Sequence, residues 1–177
     1  MRFELELTIS ETDFNSGTIV CMKKISLIKL HKLYIQGTEE RGLVIPHTML
    51  LCNTTNLVVK AINLASPKIH ITTRMLKHLY DSKPAEEYEF ILHSLVSIAR
   101  YPDQVYENKG GKRGHFAFVK TIKGASYFCS LEITQIINEE EITEDMNFVV
   151  TAFRMRRQGY LKDYKLLWDR KDGSPSS

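Results

Sequence analysis

Two runs of apolar residues at three-and-four spacing, split by one proline and followed by a switch to period two, constrain the fold of this chain most tightly. In the first run Met75, Leu76, Leu79 and Tyr80 share a helical face behind Thr72 or Thr73, either of which offers an N-capping hydroxyl. This helix is expected to end near Ser82. After Pro84, residues Tyr88, Ile91, Leu92, Leu95, Ile98 and Ala99 form a second stripe, which "YPD" at Tyr101 to Asp103 terminates. Beyond it "QVYEN", "HFAFVKTI", "SYFCSLEITQII", "NFVVTAFRM" and "YLKDYKLLW" read as strands, with Gly110, Gly111, Gly114 and Gly124 at the turns. Two helices followed by consecutive strands predict an α+β domain, with the helices packed on a C-terminal antiparallel sheet.

The first third is less regular. "FELEL" alternates as a half-buried strand does, "SLIKLHKLYIQG" has helical spacing up to a glycine cap at Gly37, and "LVVKAINL" fits either a strand or a buried helix. We therefore expect an N-terminal extension or small subdomain of mixed structure over residues 1–65, the α+β domain over 66–170, and a disordered tail over 171–177. At 177 residues, with 43% hydrophobic and 25% charged, the chain can bury a core. No run approaches the roughly 18 apolar residues of a membrane span. The start "MRFELELTIS" carries acids and alternation where a signal peptide has a basic and then an apolar stretch, so a cytoplasmic protein without a membrane partner is expected. Cys21, Cys52 and Cys129 are far apart and lack metal-ligand spacing, which fits structural thiols and no metal or other cofactor.

The net charge of +3 is modest, but its distribution is uneven. Lys109, Lys112, Arg113, Lys120 and Lys123 fall in one stretch, and Arg154, Arg156, Arg157, Lys162 and Lys165 in another; between them lies an acidic run from Glu139 to Asp145, expected as a surface loop. Either basic cluster is ordinary solvated surface if it stands alone. If the fold joins them, they make a surface suited to phosphate.

Two residues break their strand patterns. Lys120 falls on the apolar parity of Phe116, Phe118 and Ile122, so it either snorkels from the strand's end or points into a cleft where a substrate anion is its partner. Thr151 is expected on one face with Val149, Phe153 and Met155. On the first helix, His78 is an imidazole able to move protons near neutral pH, with Lys77 beside it. An imidazole, two cations and a hydroxyl suit metal-free phosphodiester chemistry. The bunched acids sit apart from this set, and "KGGKRG" lacks the ending of a nucleotide-binding loop. Of the other histidines, His70 and His115 remain alternates.

The order of these pieces, Lys77-His78 in the first helix, "PDQVYEN" after the second, a strand ending in Lys120, a penultimate strand with "VVTAF" and an aromatic close, resembles phage-type members of one ribonuclease superfamily. That superfamily (BECR) unites barnase, EndoU, the tRNA-cutting colicins and RelE. The resemblance covers Ile69 to Trp168. It implies metal-independent endonucleolytic cleavage of RNA, by attack of the ribose 2'-hydroxyl, to a 2',3'-cyclic phosphate and a 5'-hydroxyl. It further implies a toxin or effector of a phage or mobile element, acting on tRNA or another structured RNA and countered by a cognate antitoxin or immunity protein. By the same resemblance, the "LKH" of colicin D places His78 as the acid-base group and Lys77 as a phosphate contact. Lys120 and Thr151 match positions on the scissile phosphate; Lys112, Arg113 and Arg154 are candidates for backbone binding; Tyr164 or Trp168 would stack an unpaired base. No barnase-like glutamate base is placed. The other reading is a catalytically inactive RNA- or protein-binding module on the same fold.

Overall fold

The structure is a computed structural model that describes residues 26–108, 114–137, 143–157 and 159–171. Among the described residues it is α+β, with a seven-stranded sheet in the order β1-β2-β6-β5-β4-β3-β7 and four helices. The first helices and strands are α1 (Leu27–Tyr34), β1 (Thr48–Asn53), α2 (Asn56–Ala61) and β2 (Lys68–Thr72). There follow α3 (Thr73–Ser82), α4 (Ala85–Arg100), β3 (Gln104–Glu107), β4 (Phe116–Ile122), β5 (Ala125–Ile137), β6 (Thr143–Arg154) and β7 (Lys165–Asp169). All neighbouring strands pair antiparallel except β2 and β6, which run parallel. Among the described residues no helix is long and apolar enough to cross a membrane.

Both helices expected from periodicity form at the expected places. Thr72 is the N-cap of α3, its hydroxyl accepting from the Met75 N–H at 3.2 Å. Thr73 instead faces inward, donating to the Ile45 carbonyl at 2.7 Å and accepting from the His47 N–H at 2.9 Å. Pro84, whose fixed φ suits a helix start, sits at the N-cap of α4. The stripe Tyr88, Ile91, Leu92, Leu95, Ile98 and Ala99 is buried along its whole length. Leu95 and Ile98 are fully buried, each contributing about 1.5–3 kcal/mol. The β4–β5 hairpin turns through Lys123 and Gly124, both at positive φ, the two-residue loop whose twist matches the strands it joins.

The expected boundary at residue 65 does not divide the core. Strand β1 belongs to the same sheet, and Leu27, Leu30 and Val58 lie in one hydrophobic cluster with Leu76, Leu95, Phe118 and Leu131. "LVVKAINL" resolves as the short helix α2, and "SLIKLHKLYIQG" as α1, with Gly37 at positive φ beyond it. "FELEL", residues 109–113 with Lys112 and Arg113, residues 138–142 and residues 172–177 lie outside the described residues. The acidic run is not all loop: Glu144 and Asp145 lie in β6, opposite Ile136 and Gln135.

The sheet has two apolar clusters. One gathers the helices with Cys129, Leu131, Val149 and Ala152; the other joins Ala117, Val119 and Phe128 to Tyr106, Phe153, Met155, Tyr160, Leu161 and Tyr164. Strand β6 changes parity between them. Ser130 opposes Thr151 but Leu131 opposes Val149, so Val150 is an extra residue, a β-bulge. Thr151 therefore shares a parity with Phe153 and Met155 but not with Val149, which turns into the helix-side core. Below the bulge the parallel β2–β6 pairing covers only Ile69 with Asn147 and His70 with Phe148. The chain then leaves β2 for α3, which packs on β6.

Candidate active site

A cleft of about 620 Å³ opens where α3, the bulged stretch of β6 and the middle of β5 meet. From α3 come Arg74 and His78, one helical turn apart, with Thr72 at the cap and Met75 behind them. From β6 come Phe148, Val149, Val150 and Thr151, and from β5 Glu132 and Thr134. The bulge allows this: it turns Thr151 off the core parity, and bulges characteristically re-aim side chains in this way. Strand β5 keeps strict alternation, so Ser130, Glu132 and Thr134 share the face opposite Cys129 and Leu131. His78 is exposed and Glu132 half-buried. Among the lining residues the cleft thus holds one imidazole, one carboxylate, one guanidinium and three threonine hydroxyls, over an apolar floor of Met75, Phe148 and Val149.

The structure thus brings His78 and Thr151 together, from positions far apart in the chain. It does not bring Lys77 or Lys120 to them. Lys77 is the neighbour of His78, but the 100° step of the helix turns it inward, where its side chain is only 1% exposed. Its Nζ donates to Asp81 Oδ1 at 2.6 Å and to the Thr38 carbonyl at 3.4 Å, and lies 5.4 Å from the Tyr80 ring centroid. Asp81 Oδ2 accepts from the Gly42 N–H at 2.8 Å. Burial opposes the Asp81 charge, but the Lys77 ammonium and this N–H outweigh it and hold the carboxyl below its ordinary pKa. Lys77 therefore ties α3 to the 38–42 loop, not to a phosphate.

Lys120 does lie on the apolar parity of β4, and its reason is structural. Its Nζ donates to the Tyr101 carbonyl at 2.5 Å and lies 3.7 Å from Asp103 Oδ1. Tyr101 is the C-cap of α4, so the ammonium sits at the negative end of that helix. Trp168 is in the core rather than on a binding face: it pairs opposite Val105 and is 5% exposed. Tyr164 packs edge-on against Phe128 and beside Tyr160. Arg154 is exposed at the end of β6. Of the alternate histidines, His115 accepts the Ile133 N–H at 2.9 Å through Nδ1. His70 stands beside Phe148, with burial lowering its pKa, which favours the neutral ring.

Sequence reasoning misses Arg74 and Glu132. Each has a signal: Arg74 precedes His78 by four residues on one helix face, and "SLEIT" alternates so that Glu132 shares the polar parity of β5. Among the described residues no three His, Cys, Asp or Glu side chains gather as a metal site. No protein-family model, curated protein or solved structure matches this chain.

Proposed function

We propose that the protein is a metal-independent endoribonuclease of the barnase, EndoU, colicin and RelE kind, cleaving RNA at the cleft between α3 and β6. The observation that carries the reading is the convergence of His78, Glu132, Arg74 and Thr151 on one cleft from three separate elements. Transphosphorylation needs two proton movements and a cation for the crowded phosphorane. Glu132 accepts the proton of the 2'-hydroxyl, whose oxygen attacks phosphorus. The imidazolium of His78 donates to the departing 5'-oxygen, leaving a 2',3'-cyclic phosphate and a 5'-hydroxyl. Arg74 takes the place expected of Lys77 and Lys120, pairing with the nonbridging oxygens in the bidentate manner a guanidinium allows. The Thr151 hydroxyl donates to the same oxygens. The lone carboxylate among the lining residues suits proton transfer rather than a pair of bridging metals. A toxin or effector role, tRNA as target and a cognate inhibitor belong to this proposal by resemblance.

The test is incubation of the purified protein with total RNA in EDTA, followed by mapping of the new ends. Cyclic phosphates are expected, with rates reduced about 10²–10⁴-fold in His78→Ala and in Glu132→Gln. Intact RNA at high protein excess, or full activity in His78→Ala, overturns the reading. Salt-sensitive RNA binding without cleavage would instead make the chain a binding module on this fold.

A further inference from the structure

The cleft is not the only hollow along the α3–β6 seam. The N-terminal half of α3 and residues 148–151 of β6 border the first, whereas Ser82 and Lys83 at the far end of α3 border a second, of about 350 Å³. Its opposite wall is the end of β6 and the segment after it, with Phe153, Arg154, Arg156 and Arg157. Four cationic side chains thus line it against one carboxylate, Glu87. That carboxylate is already engaged: Arg156 holds its Oε2 at 2.5 Å, and its Oε1 accepts the Arg154 N–H at 3.4 Å. Arg154 and Arg157 are exposed, and among the described residues neither guanidinium forms an ion pair. The aromatic wall is built from Phe153 and Tyr160, edge to face at 5.3 Å, with the Lys83 ammonium 5.3 Å from the Phe153 ring centroid.

Guanidinium groups without an ion-pair partner among the described residues, beside an aromatic wall, suit a single-stranded polynucleotide: the charges track phosphates, and Tyr160 borders the hollow where an unpaired base would lie, Phe153 being already stacked on Phe128 and covered by Lys83. The two hollows also follow one another along the seam: α3 and β6 border the first with His78 and Thr151 and the second with Lys83, Phe153 and Arg154, so one strand laid along the seam meets both. We infer that the second hollow is a flanking phosphate subsite, in which Arg154 and Arg157 hold the backbone of a single-stranded RNA whose scissile bond lies at His78. The placement of the scissile bond rests on the ribonuclease reading; the subsite itself does not.

The test measures binding and cleavage separately. The probe for binding is a fluorescein-labelled, 2'-O-methylated single strand of about ten nucleotides, which cannot be cleaved, followed by anisotropy between about 50 and 200 mM salt. The double variant Arg154→Ala/Arg157→Ala is expected to bind roughly tenfold more weakly at the low-salt end, with the salt slope shallower by about 0.7 for each phosphate that is no longer neutralised. Arg154→Lys/Arg157→Lys should retain most of the slope, and a blunt duplex should bind more weakly than the single strand. In cleavage, the alanine variant should be slower than wild type on a longer RNA but equal to it on a dinucleoside monophosphate, which has no second phosphate. Both alterations are at exposed side chains, and an unchanged thermal melt confirms the fold. Unchanged affinity and slope in the alanine variant, duplex binding as tight as single-strand binding, or no oligonucleotide binding at all overturns the subsite. Loss of binding in the variant, with neither substrate cleaved by wild type, leaves the subsite standing and removes the ribonuclease reading.

Discussion

Replacing Asp81 by Asn separates a structural from a catalytic role for the Lys77-His78 pair. In the native chain the Lys77 side chain is 1% exposed and its ammonium has two hydrogen-bond partners among the described residues, Asp81 Oδ1 at 2.6 Å and the Thr38 carbonyl at 3.4 Å. The substitution removes the negative charge and leaves a buried cation with neutral partners. Stranding one member of a fully buried pair costs about 3–5 kcal/mol. The Asp81 side chain is 13% exposed, so water reaches the site and the expected loss is about 2–3 kcal/mol. In a chain of this length that lowers Tm by about 5–10 °C. Lys77→Met should cost less, at most about 1.5 kcal/mol, because a thioether of similar length fills the space and Asp81 keeps the Gly42 N–H and water. The double variant should melt close to Lys77→Met rather than at the sum of the two. The sign of the pH dependence follows as well. The Asp81 carboxyl has a lowered pKa in the folded state, so its contribution is present above the ordinary carboxylate range and is lost as pH falls through the folded value. Asp81→Asn should flatten the acid limb of the stability curve. Melts of the four proteins from neutral to acid pH measure all of this. A Lys77→Met variant that loses more stability than Asp81→Asn, or that folds normally yet loses RNA cleavage, refutes the structural assignment.

Three further substitutions test the placements described above. Lys120→Met removes the ammonium from the α4 C-cap and should cost about 1 kcal/mol in denaturant melts while leaving the proposed RNA cleavage unaffected. Trp168→Ala should cost about 3–5 kcal/mol by opening a core cavity, whereas a base-stacking role predicts weaker RNA binding at unchanged stability. Asn147→Ala strips donors from the Ser66 and Lys68 carbonyls, now bonded at 2.8 and 2.9 Å, with an expected loss of about 1–3 kcal/mol in chemical denaturation.

What is legible in the sequence is local. The Thr72 cap, Pro84 and the two apolar stripes specify α3 and α4 through interactions within a few residues, and the alternation of β4 and β5 survives intact. The bulge at Val150 is not legible, because nothing in "NFVVTAFRM" marks one valine as supernumerary; the partner strand decides that. The same holds for β1 and β2, which join the sheet through non-local pairing, one edge of it parallel. At the site, His78 can be found as a polar residue on an exposed helix position. Adjacency in sequence overvalues Lys77, because a helix turns consecutive side chains 100° apart and neighbours along the chain face different ways. Lys120 is anomalous on an apolar parity, as its sequence position indicates, but its anion-like partner is a helix terminus rather than a substrate.

The two residue pairs joining β2 to β6 have a mechanical consequence. Every other junction in the sheet is a longer antiparallel ladder, so this seam, riveted by the Asn147 side chain, is expected to be the first to part. Amide exchange that rises across Lys68–Thr72 while β4 and β5 stay protected would trace that parting. Because α3 hangs from the end of β2, such a breathing motion would carry Arg74 and His78 away from Thr151 and Glu132, dismantling the cleft before the rest of the fold gives way.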